Sequence, residues 1–239
     1  MKVRDHLLLF LLFGVVCDAS AGDLDHLDRL TQDQFSGLSR DFAAIAAYRS
    51  VTPASALGLT GFDLGAGGDA IKLQASSAFA IATGSSNDST LYAARLSFAK
   101  GLPYGIDIGA TATLPSGSGA TIFGGELRYA VMQDGIGTPA IAVRGHYSQA
   151  FGMSQLDVRA YGADLMVSKK LALVTPFAGA GVLRTDAVPI GIAGLSAERF
   201  SVGRFFIGVN ANFLVLDIAV EADRTGDVDS ISAKLGWRF

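Results

Sequence analysis

The sequence predicts an all-β fold: an up-and-down antiparallel barrel of about ten strands (roughly 8–12), behind a short N-terminal helix. Three observations carry that prediction. From about residue 57 onward apolar and polar residues alternate with period two. The alternating runs are separated by turn signals whose lengths go short, long, short, long. The 239-residue chain is 50% hydrophobic with mean hydropathy +0.38, yet its apolar residues stand singly rather than in long runs.

The first element is "MKVRDHLLLFLLFGVVCDASAG". Lys2 and Arg4 precede an apolar run from Leu7 to Val16, and Ala19-Ser20-Ala21 forms an A-x-A site. Residues 1–21 therefore read as a secretory signal peptide. The apolar run is far short of the roughly 20 residues a spanning helix needs. Cys17, the sole cysteine, follows "GVV", a context for lipid attachment, but Val16 fills a position that usually needs a small residue. Cleavage after Ala21 leaves a mature chain with no cysteine, so no disulfide contributes to its stability.

Residues 22–52 come next. Leu24, Leu27, Leu30, Phe35, Leu38, Phe42, Ile45 and Tyr48 recur mostly at spacings of three and four, which predicts an amphipathic helix. It stops before Pro53, which disfavours helix at the preceding residue. The expectation is a periplasmic helix whose apolar face at 24–48 plugs the barrel mouth or docks a periplasmic partner.

The barrel is expected over 53–239. Strands are predicted at 57–66, 91–100, 104–114, 120–131, 139–149, 157–169, 173–184, 199–210, 213–223 and 229–239. "AIKLQASSAFAIA" (70–82) and "AVPIGIAGL" (187–195) are further candidates. Connections at 101–103, 132–138, 170–172 and 211–212 are short. Those at 67–90, 150–156, 185–198 and 224–228 are mostly longer. "GAGGDA" (65–70) reads as a flexible turn, and Asp223, Asp227 and Asp229 as a solvated one.

The alternation sorts side chains onto two faces. The polar face holds Arg95, Asp107, Glu126, Arg128, Arg144, His146, Asp157, Arg159, Asp164, Arg204, Asp217, Glu221, Lys234 and Arg238. The other face holds residues such as Tyr92, Leu96, Phe98, Ile108, Phe123, Leu127, Tyr129, Tyr147, Ile218, Leu235 and Trp237. In lipid, a Lys or Arg on the outer face costs about 2–4 kcal/mol at mid-depth. Several would exceed a typical domain's stability of roughly 5–15 kcal/mol. In a membrane the apolar face must point out; in water it would point in. The polar face mixes Gly, Thr, Ser and arginine–acid pairs rather than the Lys and Glu of a solvated surface, as a confined lumen would. Paired charges there offset part of their desolvation cost. The soluble alternative is a β-sandwich or lipocalin-like binding protein in the periplasm.

The chain ends "SISAKLGWRF", with Ile231, Ala233, Leu235, Trp237 and Phe239 on one face. Together with the signal peptide and the hairpin rhythm, this ending resembles the outer-membrane β-barrel proteins of Gram-negative bacteria. The resemblance implies that Trp237 and Phe239 form the signal read by the barrel assembly machinery. It also implies an outer-membrane location among lipids, and a structural or small-pore role with a narrow charged lumen.

The net charge of −3 without clustered bases argues against nucleic acid. No His/Cys/Asp/Glu set has metal-ligand spacing, and no cofactor motif is present. One pair suggests chemistry: His146 and Ser148 share a strand face, as a base and a nucleophile would. The tripeptide is similar to the His-x-Ser pair of outer-membrane lipid A deacylases. This chain has Gln149 where those carry Asn, and Asp157 is the nearest acid downstream. A lipid A-modifying hydrolase is thus the enzymatic alternative to a non-catalytic barrel.

Overall fold

The computed structural model describes residues 24–239. The expected signal peptide at 1–21 and Cys17 lie outside the described residues. Ten strands form one closed antiparallel barrel: β1 (Phe62–Lys72), β2 (Thr90–Gly101), β3 (Ile106–Pro115), β4 (Thr121–Met132), β5 (Ala140–Phe151), β6 (Leu156–Ser168), β7 (Val174–Pro189), β8 (Glu198–Phe213), β9 (Leu216–Thr225) and β10 (Val228–Arg238). Each strand pairs with its neighbours in sequence, and β10 pairs with β1 to close the ring. Closure leaves no unpaired edge. The last residue takes part: Phe62 N–H donates to Phe239 O at 2.6 Å, and Phe239 N–H donates to Phe62 O at 3.0 Å. Their rings meet edge-on with centroids 3.9 Å apart.

Three local expectations are corrected. The stretch 65–70 is not a turn but the middle of β1. Its glycines suit a crowded strand, since a Cβ at Gly65 would stand 2.8 Å from the Lys234 side chain. The run 70–82 is not a separate strand: it finishes β1 and then forms helix α2 (Ser76–Thr83), which ends at Gly84 with φ +64°. The run 187–195 only completes β7, which reaches Pro189.

Helix α1 (Gln32–Ala46) begins with a capping box. Gln34 N–H donates to Thr31 Oγ1, and Thr31 N–H donates to Gln34 Oε1 at 2.9 Å. Its apolar stripe, Phe35, Leu38, Phe42 and Ile45, is buried as its spacing requires. What buries it is the barrel interior: the same cluster contains Ile71, Leu91, Ile122, Leu156, Val158, Leu183 and Val228.

The barrel has two distinct rims. Phe62, Phe239 and the turns at 102–105, 133–139, 169–173 and 214–215 form the closing rim. The loops at 73–89, 116–120, 152–155, 190–197 and 226–227 form the loop rim. Helix α1 sits in the mouth at the loop rim. Leu27 N–H donates to Gln155 Oε1 at 3.0 Å, Gln32 Nε2 to Glu198 Oε1 at 2.6 Å, and Ser196 N–H to Gln32 Oε1 at 2.8 Å. Asp41 accepts from the N–H groups of Gln74 and Ala75 at 2.9 and 2.8 Å. Burial pushes the Asp41 carboxyl above its ordinary pKa, against those two donors.

Beyond Ala46 the chain turns extended and runs down the inside of the barrel to the closing rim, where β1 begins. The segment expected as one helix that plugs the barrel mouth or docks a partner is thus, over residues 24–52, a helix in one mouth continued by a strap through the lumen. Within the strap, Val51 is fully buried with φ +49°, a conformation β-branched residues rarely adopt. It is held by a small apolar group that includes Ala140, Met166, Phe177 and Phe206.

Candidate functional site: the lumen and its strap

Inward positions alternate along each strand, so the polar face of the sequence becomes the lumen lining. Arg95, Asp107, Glu126, Arg128, Arg144, His146, Asp164, Arg204, Asp217, Glu221 and Lys234 are all buried there. Arg238 lies at the closing rim, 3.6 Å from Asp63, with 13% of its side chain exposed. Asp157 and Arg159 are corrected: their side chains face outward, 26% and 52% exposed, paired with each other at 2.8 Å. In β6 the buried residues are Leu156, Val158, Ala160, Asp164, Met166 and Ser168, all even-numbered. Odd-numbered 157 and 159 cannot share a face with Asp164 in an unbulged strand.

The structure adds four residues that the sequence reading left out: Arg49, Asp63, Asp69 and Asp223. Asp63 pairs with Lys234 at 2.8 Å, and Asp69 with Arg95 at 2.7 Å. Asp223, assigned from sequence to a solvated turn, is buried between Arg49 and Arg204, each at 2.9 Å. The available signal was parity. Asp63 and Asp69 are in step along an alternating run, and Asp223 is in step with Asp217 and Glu221.

These charges hold the strap at almost every residue. From the loop rim downward, Ser148 Oγ donates to Ala46 O. Arg204 donates to Tyr48 O at 2.7 Å, Arg49 donates to Asp223, and Arg144 donates to Ser50 Oγ at 2.9 Å. Arg128 donates to Thr52 Oγ1 at 2.7 Å and to Pro53 O at 3.1 Å. Ala54 N–H donates to Ser168 Oγ at 3.1 Å, and Leu57 N–H to Asp107 at 3.1 Å. Each of these three barrel arginines is also anchored to an acid: Arg204 to Asp223, Arg144 to Asp164 at 2.5 Å, and Arg128 to Asp107 at 2.7 Å. An extended peptide in a narrow tube has backbone groups that need partners, and these side chains supply many of them.

The His146–Ser148 pair lies inside this assembly. The Ser148 hydroxyl is committed to the strap carbonyl, and no hydrogen bond among the described residues joins it to His146. His146 Nε2 stands 3.4 Å from Asp164, and its ring stacks on Tyr48 with centroids 5.9 Å apart. Glu126, directly across the ladder from His146, leaves both carboxylate oxygens without a hydrogen-bond partner, 3.6 Å from Arg144 at the nearest. No group of three or more His, Cys, Asp or Glu among the described residues is placed to hold a metal ion.

No protein-family model matches the chain, and no curated protein matches it in sequence. Solved structures with a similar barrel include OmpTdeltaL8, a loop-deletion mutant of an outer membrane protein of Vibrio cholerae. It is 12% identical with TM-score 0.31, over 63% of this chain and 55% of that one. The KdgM porin in complex with disordered oligogalacturonate is 6% identical with TM-score 0.39, over 74% and 99%. LpxR from Salmonella typhimurium is 11% identical with TM-score 0.38, over 63% and 73%. This chain spans about half the length of the first of these.

Proposed function

We propose that this chain is an outer-membrane β-barrel kept closed by its own N-terminal strap, with a structural or tightly gated transport role. One observation carries the reading: the large apolar side chains of the strands face outward while the charges face in. Tyr92, Leu96, Phe98, Phe123, Leu127, Phe205, Ile207, Ile231 and Trp237 are exposed, and Arg128, Arg144, Arg204 and Lys234 are buried. A water-soluble barrel has the reverse arrangement. Hydrocarbon satisfies the outer face, and a closed ring leaves lipid no backbone group to satisfy.

Barrels of this class have short periplasmic turns and longer external loops. On that rule the closing rim is periplasmic and α1 sits in the external mouth, the reverse of the sequence-based placement. Trp237 on β10 and Phe239 just after it then present the assembly signal at the periplasmic side.

With α1 in one mouth and the strap held along the lumen, the barrel passes no large solute. In bilayer recordings the full mature chain is expected to stay closed, and Arg128→Ala/Arg144→Ala/Arg204→Ala to show long-lived openings. A stable wide pore in the unmodified protein overturns the closed-lumen reading. A chain that stays dispersed without detergent and shows no heat-dependent gel shift overturns the membrane reading.

A further inference from the structure

The outward surface across the barrel seam is not uniform. One cross-strand row reads Ala178–Ile207–Ala222–Ile231–Ala70, each residue paired directly with the next. Large and minimal side chains alternate in it. Ile207 and Ile231 stand 65% and 61% exposed, and the alanines leave troughs between them. The next row toward the loop rim changes character. Phe205 pairs with Arg224, and Arg224 with Asp229. Lys72 follows at the end of β1, one residue past the Ile71–Ser230 pair. Together the two rows enclose an outward-facing groove of about 800 Å³. Its floor is apolar, and its loop-rim side carries two bases and one acid. Arg224 and Asp229 are well exposed and 3.7 Å apart, a loose pair. Lys72 has no ion-pair partner among the described residues, and it also lines the groove.

We propose that this groove binds a phosphorylated, acylated lipid of the leaflet at the loop rim. The inference rests on the membrane reading above. One acyl chain lies over Ala222, in the trough between the walls made by Ile207 and Ile231. The phosphate sits where the apolar floor gives way to Lys72 and Arg224. Arginine presents a planar fork that matches a phosphate with two parallel hydrogen bonds, and lysine adds a point charge. Asp229 is already engaged with Arg224, so the row keeps a net positive charge facing the head-group layer. A protein partner would meet the groove only within hydrocarbon, where acyl chains are in excess.

The test uses the full mature chain, refolded in detergent and checked for its heat-dependent gel shift. The probe is bisphosphorylated lipid A, with its dephosphorylated form as comparison, and binding is read by native mass spectrometry across a lipid titration. The unmodified protein is expected to retain the phosphorylated form at least tenfold more tightly. Lys72→Gln/Arg224→Gln is expected to abolish that preference. Ala222→Trp, which fills the trough and leaves both charges, is expected to weaken binding of both forms. Arg184→Gln, an exposed arginine on the same rim outside the groove, is expected to change nothing. Equal retention of the two lipids, or an equal loss in Arg184→Gln, overturns the groove. Those outcomes leave the membrane reading intact, because the gel shift and bilayer insertion are scored separately. The exposed substitutions at 72 and 224 do not touch the lumen, so a folded protein is available for the comparison.

Discussion

Tyr48 shows how closely strap and barrel are shaped to each other. A Cβ at Gly124 would stand 2.7 Å from its ring, and one at Gly109 would stand 3.0 Å from its hydroxyl. Gly124→Val therefore drives a branched side chain into the ring. Overpacking of this kind costs about 1–3 kcal/mol. The gel-shift midpoint temperature is expected to fall, and Tyr48→Ala in the same chain to recover part of the loss. Arg204 is the residue with most at stake, since it faces Asp223, Glu221 and Tyr48 O together. Arg204→Ala leaves the buried Glu221 without its ion-pair partner and Asp223 with Arg49 alone, a loss of about 3–5 kcal/mol. Asp157→Ala, on the outer face, is expected to cost under about 1 kcal/mol. Denaturant titration of the two variants side by side measures the difference, and equal losses would contradict the lumen assignment. Both roles were partly legible in the sequence. Arg204 is in step with its strand, whereas Asp157 and Arg159 were placed by polarity alone, against the parity of Asp164. Asp223 was hidden because it stands two residues before the end of β9, at the β9–β10 turn, with Asp227 and Asp229 close behind, and acids near turns are normally solvated.

At the level of elements, period and position separate. The 3.6-residue period of α1 announced a helix with one apolar stripe, but Pro53 set only an outer limit: the helix ends at Ala46 and the chain is extended from there. Nothing in the period says what covers the stripe, and the cover is the barrel mouth. The β1 boundary was lost for a related reason: Gly65, Gly67 and Gly68 erase alternation locally, while backbone pairing with β2 and β10 keeps the strand. Helix α1 also organises the loop between β1 and β2 through Asp41, which accepts from two backbone donors at the start of α2. Asp41→Ala removes both acceptors. Hydrogen exchange at the Gln74 and Ala75 amides is expected to speed up at least tenfold, with the amides of β5 and β6 unchanged.

For the molecule as a whole, strand number and closure follow from the hairpin rhythm and from an ending that has to pair with a beginning. Phe239 supplies two of the seam's hydrogen bonds and an aromatic contact with Phe62. Its deletion is expected to lower the yield of heat-modifiable protein several-fold in cells. Phe239→Tyr, which keeps the ring and backbone, is expected to assemble. The internal path of residues 47–57 was out of reach of the sequence, because a segment with no regular period gives no direction.

That path sets the order of events during biogenesis. Ten strands knit into a continuous hoop cannot later admit their own leading segment unless its free end is pulled through like a thread through a needle. The economical alternative is that the hoop is wrapped around a segment already lying in place, with the β1–β10 join made last. A compact, stably folded reporter fused ahead of residue 24 separates the two routes. Wrapping tolerates such a knot at the free end, and the fusion is expected to mature normally with the reporter on the loop-rim side; threading would jam on it.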